Sequence, residues 1–172
     1  MLSSKVSKKS LPPPGIYHIR ALFWSSSISK CLEHGYIVED EFKRLNTSNI
    51  PSRKGLFRIS HNNDDDGTIS IFSLTFNKYA YTDSRFENLE FVVPMVYTDG
   101  VSNSEIAKFE LCQPTMPSTT GPVTLLINKK FLKISYYNTQ TRCRSIYVDI
   151  HPYSAYTSLD DYTLFEFFPV KA

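Results

Sequence analysis

The stretch SSSISKCLEHG, residues 25–35, decides what kind of fold the rest of the chain is given. Its serines suit a helix N-cap, Ile28, Cys31 and Leu32 recur at helical spacing, and Gly35 offers a stop. This pattern predicts a short amphipathic helix over 27–34. Ile37, Val38, Phe42 and Leu45 extend it toward a second turn or two, ending in the break at 49–51. Either side of this stretch the periodicity is that of strands. Residues 16–23, IYHIRALF, form a candidate strand of mixed faces.

From Gly55 onward the period falls to two. Segments 56–60 and 68–76 flank HNNDDDG and read as a β-hairpin, Ile69 and Ile71 alternating with Thr68 and Ser70. Further strands are expected over 89–97, 105–112, 123–128, 131–137, 145–150 and 162–168, with Asn128-Lys129-Lys130 as a tight turn. Residues 113–122, QPTMPSTTGP, read as a loop. The expected class is α+β: a mainly antiparallel β-sheet with one or two short helices packed on it. At 172 residues the chain is long enough for one domain with its own core.

Charge divides the chain unevenly. Residues 1–14 carry Lys5, Lys8 and Lys9 and no acid, whereas 15–172 carry 16 basic and 17 acidic side chains. The expectation is a disordered basic, proline-rich arm over 1–14 ahead of a single compact β-rich domain over 15–172. Pro12, Pro13 and Pro14 favour polyproline II, the conformation that WW and SH3 domains bind. A PPxY ligand, however, would need Tyr nearer than Tyr17. Pro114-Thr115-Met116-Pro117 similarly approaches a PTAP motif, with Met in place of Ala. Both proline segments are candidate ligands, and spacer or loop is the simpler reading of each.

No apolar run reaches the roughly 18–20 residues that cross a bilayer, and no signal-peptide core precedes the prolines, so the chain is expected in the cytosol. Cys31, Cys112 and Cys143 are odd in number and widely spaced, which fits reduced thiols. His18, His34, His61 and His151 share no ligand spacing. HNNDDDG matches half of an EF-hand loop, but Ser73 stands where the bidentate Glu belongs, so a solvated turn is expected. No phosphate-binding glycine loop or nucleophile motif occurs. The carboxylate clusters at 39–41 and 160–161 read as exposed charge. No enzyme chemistry, cofactor, metal or small-molecule substrate is therefore expected.

Basic and aromatic residues interleave on two adjacent predicted strands, where Lys133, Tyr137, Arg142, Arg144 and Tyr147 form a candidate surface for single-stranded nucleic acid. The apolar C-terminal run TLFEFFPV, 163–170, reads as a core strand or as an exposed self-association edge.

A lysine-bearing tail with Lys5, Lys8 and Lys9, the triplet Pro12, Pro13 and Pro14, and the order strand (16–23), helix (27–34), sheet resemble the matrix proteins of rhabdoviruses. The likeness is greatest to the short matrix proteins of plant cytorhabdoviruses, and it covers the architecture of the whole chain. It implies a non-enzymatic structural protein of the virion and host cytoplasm that self-associates. Such a protein would condense the viral nucleocapsid RNA and bridge it to the inner face of an anionic membrane. On this resemblance Lys5, Lys8 and Lys9 would meet lipid or RNA phosphate. A movement-type protein coating single-stranded nucleic acid is the alternative, and an adaptor for host proline-binding modules is a third.

Overall fold

A computed structural model describes residues 6–8, 11–39, 45–62, 67–75, 77–82, 96–97, 106–114, 122–127, 129–134, 146–148 and 163–171, with 6–8, 81–82 and 96–97 described by backbone alone. Its strands are β1 (Val6–Lys8), β2 (Gly15–Ser25), β3 (Lys30–Glu39), β4 (Leu45–Ser48), β5 (Phe57–His61), β6 (Thr68–Ser73) and β7 (Lys78–Tyr79). They continue as β8 (Tyr81–Thr82), β9 (Val96–Tyr97), β10 (Phe109–Pro114), β11 (Thr124–Ile127), β12 (Lys130–Ile134), β13 (Ile146–Val148) and β14 (Thr163–Pro169). Every ladder is antiparallel.

The expected α+β class is wrong: no α-helix occurs among the described residues, and the helical content there is one 3-10 turn, Arg53–Gly55. The stretch that read as a helix is a β-hairpin. Residues 26–29 make its turn, with Ser29 at φ +53°, and Ser25 pairs with Lys30. Cys31, Leu32 and Ile37 belong to β3, and Leu45 opens β4. The reason is tertiary. An isolated helix of eight residues is marginal in water, whereas β3 gains ladders on both edges, to β2 and to β4. Gly35, expected as a helix stop, sits beside a register shift between Ala21 and Leu22, at φ +126°.

The sheet closes on itself. Arg20 pairs with both Tyr36 of β3 and Glu166 of β14, and Tyr17 with both Phe57 of β5 and Pro169 of β14. So β3 and β5 share one edge of β2, and β14 holds the other. From β5 the ladder runs through β6 and β10 to β11. Val123 then bridges back to Phe165 of β14 through two backbone hydrogen bonds, of 2.9 and 2.7 Å. The result is a ring β2-β5-β6-β10-β11-β14. Closure removes the open edges that such a sheet would otherwise expose.

Alternation along these strands sorts side chains into the ring interior and its outer side. Ile19, Ala21, Phe57, Ile59, Ile69, Phe109, Leu111, Leu125 and Phe165 share the larger core cluster. Leu22, Trp24, Cys112, Leu126, Phe131 and Leu164 form a second cluster against the opposite face. Consecutive residues such as Leu125 and Leu126 are therefore both buried, and all four residues of β11 are.

Among the described residues, β1, β3, β7 and β12 each pair with a strand of the ring. β1 pairs with β10, Val6 opposite Pro114 and Lys8 opposite Cys112. Val6–Lys8, expected within a disordered arm, thus has a defined place in the sheet. Pro114, expected in a loop, is the last residue of β10 and is buried. The turn expected at 128–130 joins β11 to β12, with Ile127 opposite Lys130 and Lys129 at φ +64°. Gly55 brings the 3-10 turn onto β3: a Cβ there would lie 2.5 Å from the Ile37 carbonyl oxygen.

Candidate interaction surface

Residues 12–14 are tied to the domain they precede. His61 Nε2 donates to the Pro12 carbonyl at 2.6 Å, and the Tyr17 hydroxyl donates to the Pro13 carbonyl, also at 2.6 Å. Burial pushes the Tyr17 hydroxyl pKa up, which keeps the phenol protonated as that donor. The chain then enters β2 at Gly15, and its prolines wall an open groove of about 490 Å³. Tyr17, Phe167, Pro169 and Val170 line the rest, with the Tyr17 and Phe167 rings edge to face at 6.0 Å. As a linear ligand the triplet would have to surrender two hydrogen bonds first. It acts as a wall of the groove.

Beside the groove lies an exposed apolar patch. Residues of β2 and β14 with even numbers point away from the ring interior, so Ile16, Phe168 and Val170 project on one side. Val170 donates its backbone N–H to the Ile16 carbonyl at 2.9 Å, which places the two strand ends together. Ile16 is 37% exposed, Phe168 37% and Val170 36%. Among the described residues, the other large exposed apolar side chains are Ile28 and Ile50, which lie apart.

Beside the patch one cation is held by two carboxylates. Arg20 Nη2 donates to Glu166 Oε1 at 2.7 Å, its Nε reaches the same oxygen at 3.3 Å, and Nη1 binds Glu33 Oε1. The hydrogen bond to Glu166 raises the Arg20 pKa further, so the guanidinium stays charged. Its plane lies over the Phe168 ring at 5.0 Å, and Tyr36 flanks the same ring at 6.3 Å. A held cation thus fixes the ring it covers. Cys31 is half-buried, and burial, followed by the charge of Glu166, pushes its thiol pKa up, as suits a packing residue.

The C-terminal run is both core strand and exposed edge. Leu164 and Phe165 are fully buried, and Phe168, Pro169 and Val170 are exposed. Of the basic–aromatic candidates, Lys133 and Tyr147 stand directly opposite each other on β12 and β13. Tyr137, Arg142 and Arg144 lie outside the described residues, as do Lys5, Lys9, Thr115 and Pro117. Lys8 is placed by its backbone, in the ladder with β10. The Arg20–Phe168 contact is missed by sequence reading because it joins strands at opposite ends of the chain.

Among the described residues, no helix is long and apolar enough to cross a membrane. Comparison with protein-family models and with curated proteins finds no match for this chain.

Proposed function

We propose that this chain is a non-enzymatic structural protein that acts in many copies, as the likeness of its lysine-bearing tail and proline triplet to those of rhabdovirus matrix proteins implies. Copies join through the Ile16, Phe168 and Val170 patch; Lys5, Lys8 and Lys9 meet lipid or nucleocapsid phosphate at the membrane surface, within virion and host cytoplasm. The observation that carries this reading is the patch itself: three exposed apolar side chains gathered on two paired strand ends. The occupant is a second copy. Arg20, together with Arg58 opposite Ile16 in the β2–β5 ladder, balances Glu33 and Glu166, so two such faces meet without net repulsion, and the domain behind them is nearly neutral. Aromatic anchors in a charge-depleted centre are what protein interfaces use.

Sedimentation velocity across rising concentration tests the assembly. The wild-type chain is expected to form larger species, and Phe168→Asp to shift that association to roughly tenfold or higher concentration. A wild-type chain that stays monomeric throughout overturns the reading.

Membrane attachment follows from repetition. Each lysine near an anionic surface contributes about 1 kcal/mol, and the contribution falls with salt. Copies in one assembly add these weak contacts. Replacing Lys5, Lys8 and Lys9 together by Ala keeps the β1 backbone and is expected to weaken flotation with phosphatidylserine vesicles roughly a hundredfold. Unchanged flotation would rule out the arm as the anchor.

A further inference from the structure

A row of cationic and aromatic side chains crosses the outer face of β5, β6 and β7, starting from Arg58 opposite Ile16 at the edge of the groove. Arg58 stands opposite Phe72, and Phe72 opposite Tyr79, in the register of the two ladders. The Arg58 guanidinium lies over the Phe72 ring at 5.0 Å, and Tyr79 meets the same ring edge to face at 4.9 Å. Phe72 and Tyr79 are half-buried. Two more cations, Arg53 and Lys54, occupy the 3-10 turn before β5, whose Arg53 carbonyl accepts from Thr75 Oγ1 just beyond β6 at 2.8 Å. Lys78, opposite the buried Ser73, leaves β7 on the other side from Tyr79.

Arg53, Lys54 and Arg58 are all exposed, and among the described residues no carboxylate holds any of them. Arg20, by contrast, is held by two. Three exposed cations beside paired aromatic rings suit an anionic, flat-faced ligand.

We infer that this face binds single-stranded nucleic acid, its bases stacking on Tyr79, Phe72 and the Arg58 guanidinium while Arg53 and Lys54 meet phosphates. A base offers a flat π-face to each of these groups, and the spacing of phosphates along a strand suits cations flanking a stacking platform. Sequence-independent binding is expected, since stacking and phosphate contact read no base edge. A bilayer fits the face less well: Phe72 and Tyr79 lie too deep in the sheet to enter a headgroup layer as wedges. The site deepens the proposed assembly by locating its contact with nucleocapsid RNA, and it rests on that reading only for the identity of the strand.

The test is fluorescence anisotropy with a labelled oligouridine of about ten nucleotides across salt, on the full chain. Phe168→Asp serves as the monomer-biased background, so that binding is scored apart from assembly. The parent chain and Phe168→Asp are expected to bind alike. Arg58→Gln and, separately, Tyr79→Ala are expected to weaken binding roughly tenfold or more. Lys54→Gln should lower the salt slope by about 0.7. Arg58 and Lys54 are exposed and Tyr79 is half-buried, and circular dichroism confirms folding before titration. Absence of binding at low salt overturns the inference even if the chain assembles. So does binding that survives both Arg58→Gln and Tyr79→Ala, or that is lost only with Lys5, Lys8 and Lys9. Loss of phosphatidylserine-vesicle flotation in Arg58→Gln, with oligouridine binding intact, would assign the face to lipid and overturn it equally.

Discussion

Gly35→Ala is expected to be among the most damaging single-methyl changes in the chain, costing roughly 3 kcal/mol or more. Two independent effects meet there. The residue holds φ at +126°, a conformation that side chains rarely adopt, and a Cβ would lie 2.6 Å from the Ser48 carbonyl oxygen. Ser48 belongs to the β3–β4 ladder, where it pairs with Tyr36, so the obstacle is backbone that cannot step aside. The damage should spread, because β3 also carries Tyr36 beside Phe168 and Glu33 beside Arg20. Urea unfolding of wild type and variant measures the loss. A midpoint unchanged within error would show that the bulge between Ala21 and Leu22 does not have the described geometry. Gly15→Ala is the internal comparison: its nearest neighbour would be the Tyr17 ring at 3.8 Å, an ordinary contact.

Phe165→Ala is expected to cost about 3–5 kcal/mol, the range for removing a fully buried phenylalanine. Phe165 is 0% exposed, and its backbone makes both hydrogen bonds to Val123 that complete the ring. Removing its side chain opens a void beside Ala21, its partner on β2, at the point where closure depends on a single bridge. The loss should thus appear as a lower unfolding midpoint together with a lower dependence on denaturant, if β14 detaches before the rest. Phe168→Ala on the same strand removes an exposed ring and should change stability little. Equal effects at the two positions would contradict the assignment of inside and outside faces along β14.

Much of the β architecture could be read from alternation. The hairpin over 56–76 appears as β5 and β6, and segments 123–128, 131–137 and 145–150 contain β11, β12 and β13. What failed was 25–35, where Ile28, Cys31 and Leu32 happen to match a helical period. Ile28 is in fact half-exposed near the turn, and Cys31 faces the second core cluster. Spacing within eleven residues could not reveal that both edges of β3 would be claimed by other strands. Ring closure was equally hidden, since Val123 and Phe165 meet only after every intervening ladder has formed.

The interaction surface follows the same division. TLFEFFPV announced an apolar strand with an ambiguous end, and burial of Leu164 and Phe165 with exposure of Phe168 and Val170 resolves it into two parts. Ile16 joins them from the far end of the chain. The Arg58–Phe72–Tyr79 row had no local signature, because three strands each contribute one member. The reading of 12–14 changed in character: a stiff spacer on sequence grounds, it is anchored by Tyr17 and His61 and becomes part of the surface.

Hydroxyl-radical footprinting of the wild-type chain at low and high concentration tests the assembly surface most directly, because it reads side-chain exposure without any substitution. Oxidation of Ile16, Phe168 and Val170 is expected to fall as larger species form, while Ile28 and Ile50, exposed elsewhere, keep their reactivity. Assembly that protects Ile28 or Ile50 and leaves Phe168 as reactive as in the dilute chain would contradict the account.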